Sequence, residues 1–321
     1  MNKETSFLYS VGLAGFAKLN WDGSFPMARE SWQDDFTHLS STERTHQGGI
    51  FSNPAPYDLN DLTSDDYKMG VRFGNKRFEV NVSLSASNKK QVTREELCNA
   101  LNNAISSIDY MGFRLQADNM QDGENKFVRI KEKSNNIPFF TPIGFTGKFA
   151  ERVGIQGYIF TEEVKSVKTD FEKESGKSVD VTSGRGIRCV VKEVDKIKGV
   201  NLTISMAGQN VPILAMITGA PYDEKNDLLF VKDNPNPPLF AFFYFVKAFS
   251  KGENNESSFE KVKVVCFPSC QATLPGDNAQ EGAFGTMEIT ASGSQNKKSR
   301  LPLMFYKGLS VDDYKKFVDV M

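Results

Sequence analysis

Cys266 and Cys270, with three residues between them, are the closest thing to a metal-ligand spacing in this chain. A structural zinc site needs four N or S ligands, usually supplied as two such pairs. No second pair completes this one: Cys98 and Cys189 stand alone in the sequence, and neither His38 nor His46 is nearby. Three of the four cysteines fall inside expected regular elements, where cysteine acts as a small apolar residue, so free, mostly buried thiols are expected. The two histidines also leave a Ser-His-Asp triad without support, since no G-x-S-x-G turn accompanies them. Gly184-x-Gly186 lacks a third glycine and precedes a strand pattern instead of a helix, which removes a dinucleotide fingerprint. The chain contains no P-loop and no H-E-x-x-H.

Carboxylates occur as adjacent pairs: Asp34-Asp35, Asp65-Asp66 and Asp312-Asp313. Neighbours on a strand point apart, and on a helix they diverge by about 100°. Such pairs are therefore expected to cap or be hydrated, not to share a cation. Asp58-Leu59-Asn60-Asp61 offers oxygens without the spacing of an EF-hand loop. Lys297-Lys298-Ser299-Arg300 is a short basic run, expected as a solvated loop and not a phosphate site. Phe242, Phe243 and Phe245 have the ring area to stack bases, but no basic residues interleave with them. The residue types thus point to no catalytic, cofactor-binding or metal-binding site, and the chain is not expected to be an enzyme.

The elements that would have to position any site are easier to read. At 321 residues the chain is long enough for two domains and a sizeable core. Its formal net charge of −1 gives no basic surplus for a dedicated nucleic-acid binder. Phenylalanine is abundant, 26 copies against 9 Tyr and 2 Trp, which leans towards packed β-structure. No apolar run reaches the roughly 20 residues of a membrane helix, and Met1–Thr5 leads into no secretory pattern. A cytoplasmic site of folding is expected.

The organising stretch is Asn234–Phe249. Prolines at 235, 237 and 238 hold the backbone extended. Leu239–Val246 is then wholly apolar and of strand length. A strand apolar on both sides needs cover on both faces: its own core on one, an insertion or a neighbouring subunit on the other. Lys261–Phe267 and Gly285–Ala291 alternate as half-exposed strands do, and Leu301–Tyr306 is a last apolar run. Lys251–Asn255, Pro275–Asn278 and Ser292–Ser294 carry turn residues.

Residues 66–160 have a different texture. Gly70–Gly74 and Phe78–Leu84 read as strands. Thr93-x-x-Glu96 is a capping box, followed by Leu97, Leu101, Ala104, Ile105 and Ile108 as one apolar stripe. Phe113–Ala117 and Phe127–Ile130 read as a strand pair with Asp122-Gly123 in a connection longer than two residues. This ββαββ segment carries 14 basic against 10 acidic residues, net +4, and the remainder carries 25 against 30, net −5. Phe7–Phe16 reads as an arm or strand. Gly23–Tyr57 reads as a long irregular segment suited to ordering against another copy. Glu162–Lys177 is a linker or edge strand. Ile187–Val194 and Val200–Ala207 are strands. Val211–Ile217 with Gly219 suits a short helix or a strand end, and Pro212 fits the first turn of a helix. Val311–Val320 is the last helix.

The order of aromatic "FAFFY" strand, charged hairpin, acidic Gly/Pro loop and final strand with a Ser/Gly loop, over roughly 180–306, resembles the C-terminal half of phage major tail proteins, the subunits of the tail tube. The "EELxxALNxAI" helix with its hairpin is similar to a small domain recurring in phage structural proteins. The resemblance implies a mainly β, α+β fold. Residues 1–65 and 161–321 would form a tube-forming antiparallel β-sandwich or partly closed barrel with a flanking helix. Residues 66–160 would form an inserted ββαββ domain on the exterior. It implies a virion protein made in the host cytoplasm that forms stacked homohexameric rings, meets other tail proteins, and lets genome DNA pass through a bore without binding it specifically. The alternative is a β-sandwich baseplate or fibre component that binds host-surface glycans.

Overall fold

The protein's structure is a computed structural model that describes residues 7–31, 47–86, 88–110, 114–133, 142–176, 178–183, 186–192, 196–208, 210–223, 226, 228–230, 236–251, 257–273, 276–278, 286–299 and 301–317. In chain order its elements begin with β1 (Phe7–Lys18), β2 (Met27–Ser31), β3 (Gln47–Phe51), β4 (Lys68–Phe73), β5 (Lys76–Asn81), α1 (Arg94–Ile105), β6 (Leu115–Asp122) and β7 (Asn125–Glu132). They continue with β8 (Ile143–Thr146), α2 (Lys148–Val153), β9 (Tyr158–Thr161), β10 (Val164–Glu174), β11 (Ser178–Ser183), β12 (Gly186–Lys192), β13 (Lys196–Met206) and α3 (Val211–Thr218). Last come β14 (Tyr222–Asp223), β15 (Leu228–Leu229), β16 (Leu239–Lys251), β17 (Ser257–Ala272), β18 (Gly276–Asn278), β19 (Thr286–Gly293), β20 (Phe305–Leu309) and α4 (Val311–Phe317). The fold is mainly β with a few helices, and the ladders are antiparallel.

The aromatic stretch is β16, and it lies inside the main sheet, whose order is β10-β13-β19-β17-β16-β1-β9 with β18 beside β19 and β20 beside β17. Side chains alternate along a strand. Ala241, Phe243 and Phe245 therefore share one face with Leu13, Ala17, Val264 and Cys266. Phe240, Phe242 and Tyr244 share the other with Phe16, Phe267, Leu202, Ile289 and Ile213 of α3. Phe240, Phe242, Phe243 and Phe245 are each 0% exposed. Burying one such side chain contributes on the order of 1.5–3 kcal/mol. Both faces are thus covered from within the chain, one by the curled sheet and α3, the other by the 66–160 segment. Of the two covers expected for the second face, an insertion or a neighbouring subunit, the insertion supplies it, and this strand needs no other copy.

β17 contains Pro268, which has no N–H for the ladder and is accommodated at a bulge. Phe242 pairs with Phe267 while Phe240 pairs with Cys270, so β17 carries one extra residue there. The bulge inverts the alternation, so that Cys266 and Cys270 sit in the clusters on opposite faces. β19 alternates as read: Met287, Ile289 and Ala291 are buried, while Glu288 and Thr290 are exposed.

The sheet curls around the Phe16–Phe242–Ile289 cluster without closing. β9 and β10 are consecutive, joined through Glu162 and Glu163, yet they stand at opposite ends of the strand order. No ladder joins β10 to β1 or β9 among the described residues. Past Val200, which pairs with Gly293, β13 continues alone with β10 as a two-stranded ribbon.

Within 66–160 the order β4, β5, α1, β6, β7 is observed. The Thr93 hydroxyl accepts from the Glu96 N–H (3.3 Å) and Glu96 Oε2 accepts from the Thr93 N–H (2.8 Å), as a capping box requires. Leu97, Leu101, Ala104, Ile105 and Ile108 are all buried. Asp122 pairs with Asn125, so the β6–β7 turn is two residues, Gly123-Glu124, with Gly123 at φ +60. The longer connection expected there is corrected, because both strands run further into polar sequence than the apolar alternation reaches. β3 pairs with β7 in the order β2-β3-β7-β6. A division at residue 66 cuts this sheet, and one apolar cluster runs from Ile50 and Leu101 through Phe160 to Phe243. Phe25, Met27, Ile50, Phe51 and Tyr57 are buried against their own chain. The Gly23–Tyr57 segment is therefore not held open for another copy where it is described.

Candidate interaction surface

The residues singled out for chemistry are dispersed. Cys98, Cys266 and Cys270 are buried and free, and burial pushes the Cys266 thiol well above its usual range. Cys189 lies in β12, on the separate β11–β12 hairpin. Asp65 pairs with Lys68 (3.0 Å). Asp66 caps the turn at Thr63 and meets Lys148 at 2.9 Å. The Lys148 ammonium, with the Thr63 N–H and hydroxyl, holds the Asp66 carboxyl down at about 2. Asp58 accepts from the Asn60 N–H (3.1 Å) in a local turn, and Asp61 pairs with Arg152. Asp313 and Ser310 exchange hydrogen bonds at the start of α4 (2.8 and 3.0 Å). Each described pair thus caps or forms a surface ion pair. No cluster of three potential metal ligands occurs among the described residues.

Lys297 and Lys298 lie in a structural loop. Ser299 Oγ accepts from the Phe25 N–H (2.7 Å) and Asn296 Nδ2 donates to the Gly23 carbonyl (3.1 Å), clamping this loop onto the 20–25 turn. Lys298 Nζ stands 3.4 Å from Asp122 and 3.9 Å from Asp22, which answers its charge internally. The purely solvated loop expected here is corrected for Ser299, which is 1% exposed. Asp34, Asp35, His38, His46, Gly184, Arg300, the 252–255 loop and Val318–Val320 lie outside the described residues.

What the fold does present is an unfinished edge. β10 ends the strand order, so the backbone groups along its far side have no strand partner among the described residues. The β10–β13 ribbon carries Phe171 and Ile197, 37% and 57% exposed. Phe171 pairs with Val200, a core residue, and so stands on the face that continues the internal cluster outward. Together with Pro302, Leu303 and Met304 these two side chains line a groove of about 720 Å³. A two-stranded ribbon is marginal on its own in water, and an apolar face on one is a candidate for cover by another chain. Sequence reading allows a linker or an edge strand within 162–177, of which the edge strand is observed, but it does not pick out Phe171 and Ile197 as a surface. Each is an isolated apolar residue in a charged segment, and that isolation is the signal that marks them.

Among the described residues no helix is long and apolar enough to cross a membrane. No known protein family matches the chain, and no curated protein is significantly similar to it in sequence.

Proposed function

We propose that the chain is a structural subunit that assembles with copies of itself, and specifically a phage tail-tube subunit. In this reading homohexameric rings stack into a hollow tube, contact other tail proteins, and conduct genome DNA without binding it specifically. The observation that carries the self-assembly is the β10–β13 ribbon, which joins an unpaired edge to an exposed apolar face. Addition of a strand in trans satisfies such an edge and buries such a face in one step. The assignment to a tail tube rests on the resemblance over 180–306. Residues 1–65 and 161–321 together carry a net charge of −5, which suits a bore that repels the DNA backbone. The buried β16 does not contribute to the argument, since its cover is internal.

The test is native mass together with electron microscopy of the purified protein over a range of concentrations. Rings or tubes are expected, and Phe171→Asp with Ile197→Asp abolishes them while leaving thermal unfolding close to that of the parent. Monomers at every concentration tested would overturn the reading.

A further inference from the structure

A second concave site lies away from the ribbon, where the end of β1 meets α2 and the segment after β3. It has a volume of about 520 Å³ and is lined by Lys18, Trp21, Asn53, Glu151 and Gln156, with Leu239 at its rim. That is within the usual range for small-ligand pockets, roughly 300–1,000 Å³. Trp21 is half-buried, with its ring 5.3 Å from that of Phe127 at 73°, so the indole is fixed from behind. Its Nε1–H is sealed from solvent and has no acceptor among the described residues, so it is the ring and not the N–H that the cleft can use. The side chains of Lys18, Asn53 and Gln156 make no hydrogen bond or ion pair among the described residues. Gly154 keeps this wall open: a Cβ there would collide with the Asn53 carboxamide, and its φ of +82 suits glycine.

We propose that this cleft binds a neutral saccharide of one or two sugar rings. A flat aromatic wall offers the apolar C–H face of a pyranose a surface to lie on. Carboxamides are both donors and acceptors, the complement that vicinal hydroxyls require. Lys18 and Glu151 bring opposite charges to the same cleft, which selects for no net charge on the ligand. The inference does not depend on the tail-tube reading, because the cleft and the ribbon share no residue.

The chain has two tryptophans, Trp21 and Trp32, so Trp32→Phe leaves Trp21 as the only indole. In that background the probes are glucose, galactose, mannose, N-acetylglucosamine and maltose, each titrated to about 100 mM because small sugars bind in the millimolar range. At least one is expected to shift the indole emission saturably. Asn53→Ala with Gln156→Ala is expected to weaken that response about tenfold, with the circular dichroism unchanged. No response to any neutral sugar overturns the proposal. So does an equal response in the Asn53/Gln156 variant, or a response to glucuronic acid alone, which would make the cleft an anion site at Lys18.

Discussion

Replacing Phe243 with alanine tests the central packing claim, that both faces of β16 are covered by one chain. The Phe243 ring lies 5.1 Å from Tyr158, 6.1 Å from Phe160 and 5.6 Å from Phe245, centroid to centroid, all near edge-to-face. Beneath it is Gly15 of β1, where any Cβ would overlap the ring. Truncating a fully buried Phe to Ala costs about 3–5 kcal/mol. Each aromatic pair lost adds about 0.5–1.5 kcal/mol, which puts Phe243→Ala at the upper end of that range, about 4–5 kcal/mol. The unfolding entropy, about 2.1 cal/mol/K per residue, makes each kcal/mol worth roughly 1.5 °C of Tm in a chain of 321 residues, so a fall on the order of 6–8 °C is expected. Phe242→Ala, on the opposite face, should cost a similar amount, because its ring packs on Phe16 (4.7 Å), Tyr244 (5.6 Å) and Phe267 (6.2 Å). The assay is thermal unfolding followed by near-UV circular dichroism at two protein concentrations about a hundredfold apart. Cover supplied by another copy makes the loss caused by the substitution concentration-dependent, whereas internal cover gives the same loss in both samples. A loss below about 1 kcal/mol for either variant, or a loss appearing only in the concentrated sample, would refute the packing argument.

Thr93→Ala removes the cap acceptor of α1 and should cost about 1 kcal/mol in chemical unfolding; an unchanged midpoint would mean the capping box is idle. Asp66 should titrate near 2 by carbon-detected NMR. Because its folded value is depressed, its contribution is present above its unfolded value of about 4 and is lost as pH falls towards about 2. Asp66→Asn should remove that acid-sensitive step, and a midpoint near 4 would contradict the Lys148 and Thr63 contacts. Three of the four thiols, Cys98, Cys266 and Cys270, are buried and should resist an aqueous thiol reagent until the protein unfolds. Rapid labelling of Cys266 or Cys270 in native protein would show that β17 and its bulge at Pro268 do not hold these two cysteines inward.

Legibility of the fold followed the strength of the local signal. Thr93, Glu96 and the apolar stripe that follows specify α1 by short-range rules alone, and the helix forms as read. β19 was equally clear, since strict alternation is what a half-buried strand imposes. Asn210 and Pro212 mark the start of α3, and Gly219, in the left-handed region at φ +70, ends it. The misread β6–β7 turn is local, and the other failures are non-local. Whether the insertion or another copy covers β16 depends on which segments meet across the sheet, and no window of sequence encodes that choice. The pairing of β3 with β7 spans a long separation in sequence and begins in a Gly-rich stretch that reads as loop. Cys266 and Cys270, expected as free buried thiols, are so, and the bulge puts them on opposite faces of the sheet. Of the two surfaces, β10 was legible as an edge, but the cleft at Trp21 was not. Its walls come from β1, the segment after β3, and α2, which only tertiary packing brings together.

The charge pattern of β10 makes indiscriminate strand addition a poor description of what its edge does. A long bare edge is an aggregation hazard that charged side chains oppose. β10 carries Lys165, Lys168, Asp170, Glu172, Lys173 and Glu174 in one strand. Some of this charge is answered within the ribbon: Glu174 meets Lys198 at 3.3 Å and Glu172 accepts from Asn201 Nδ2 at 3.0 Å. Lys168 and Asp170 make no ion pair among the described residues, and they flank the edge two positions apart, on the same face. In the proposed assembly an incoming strand in the wrong register or direction would meet like charge there, while one offering the opposite order would meet complementary charge. Phe171, on the other face, would gain from burial whichever strand arrived. Under that proposal affinity would come from the apolar face and selectivity from the charged one, a division that would favour a single defined partner over open-ended aggregation.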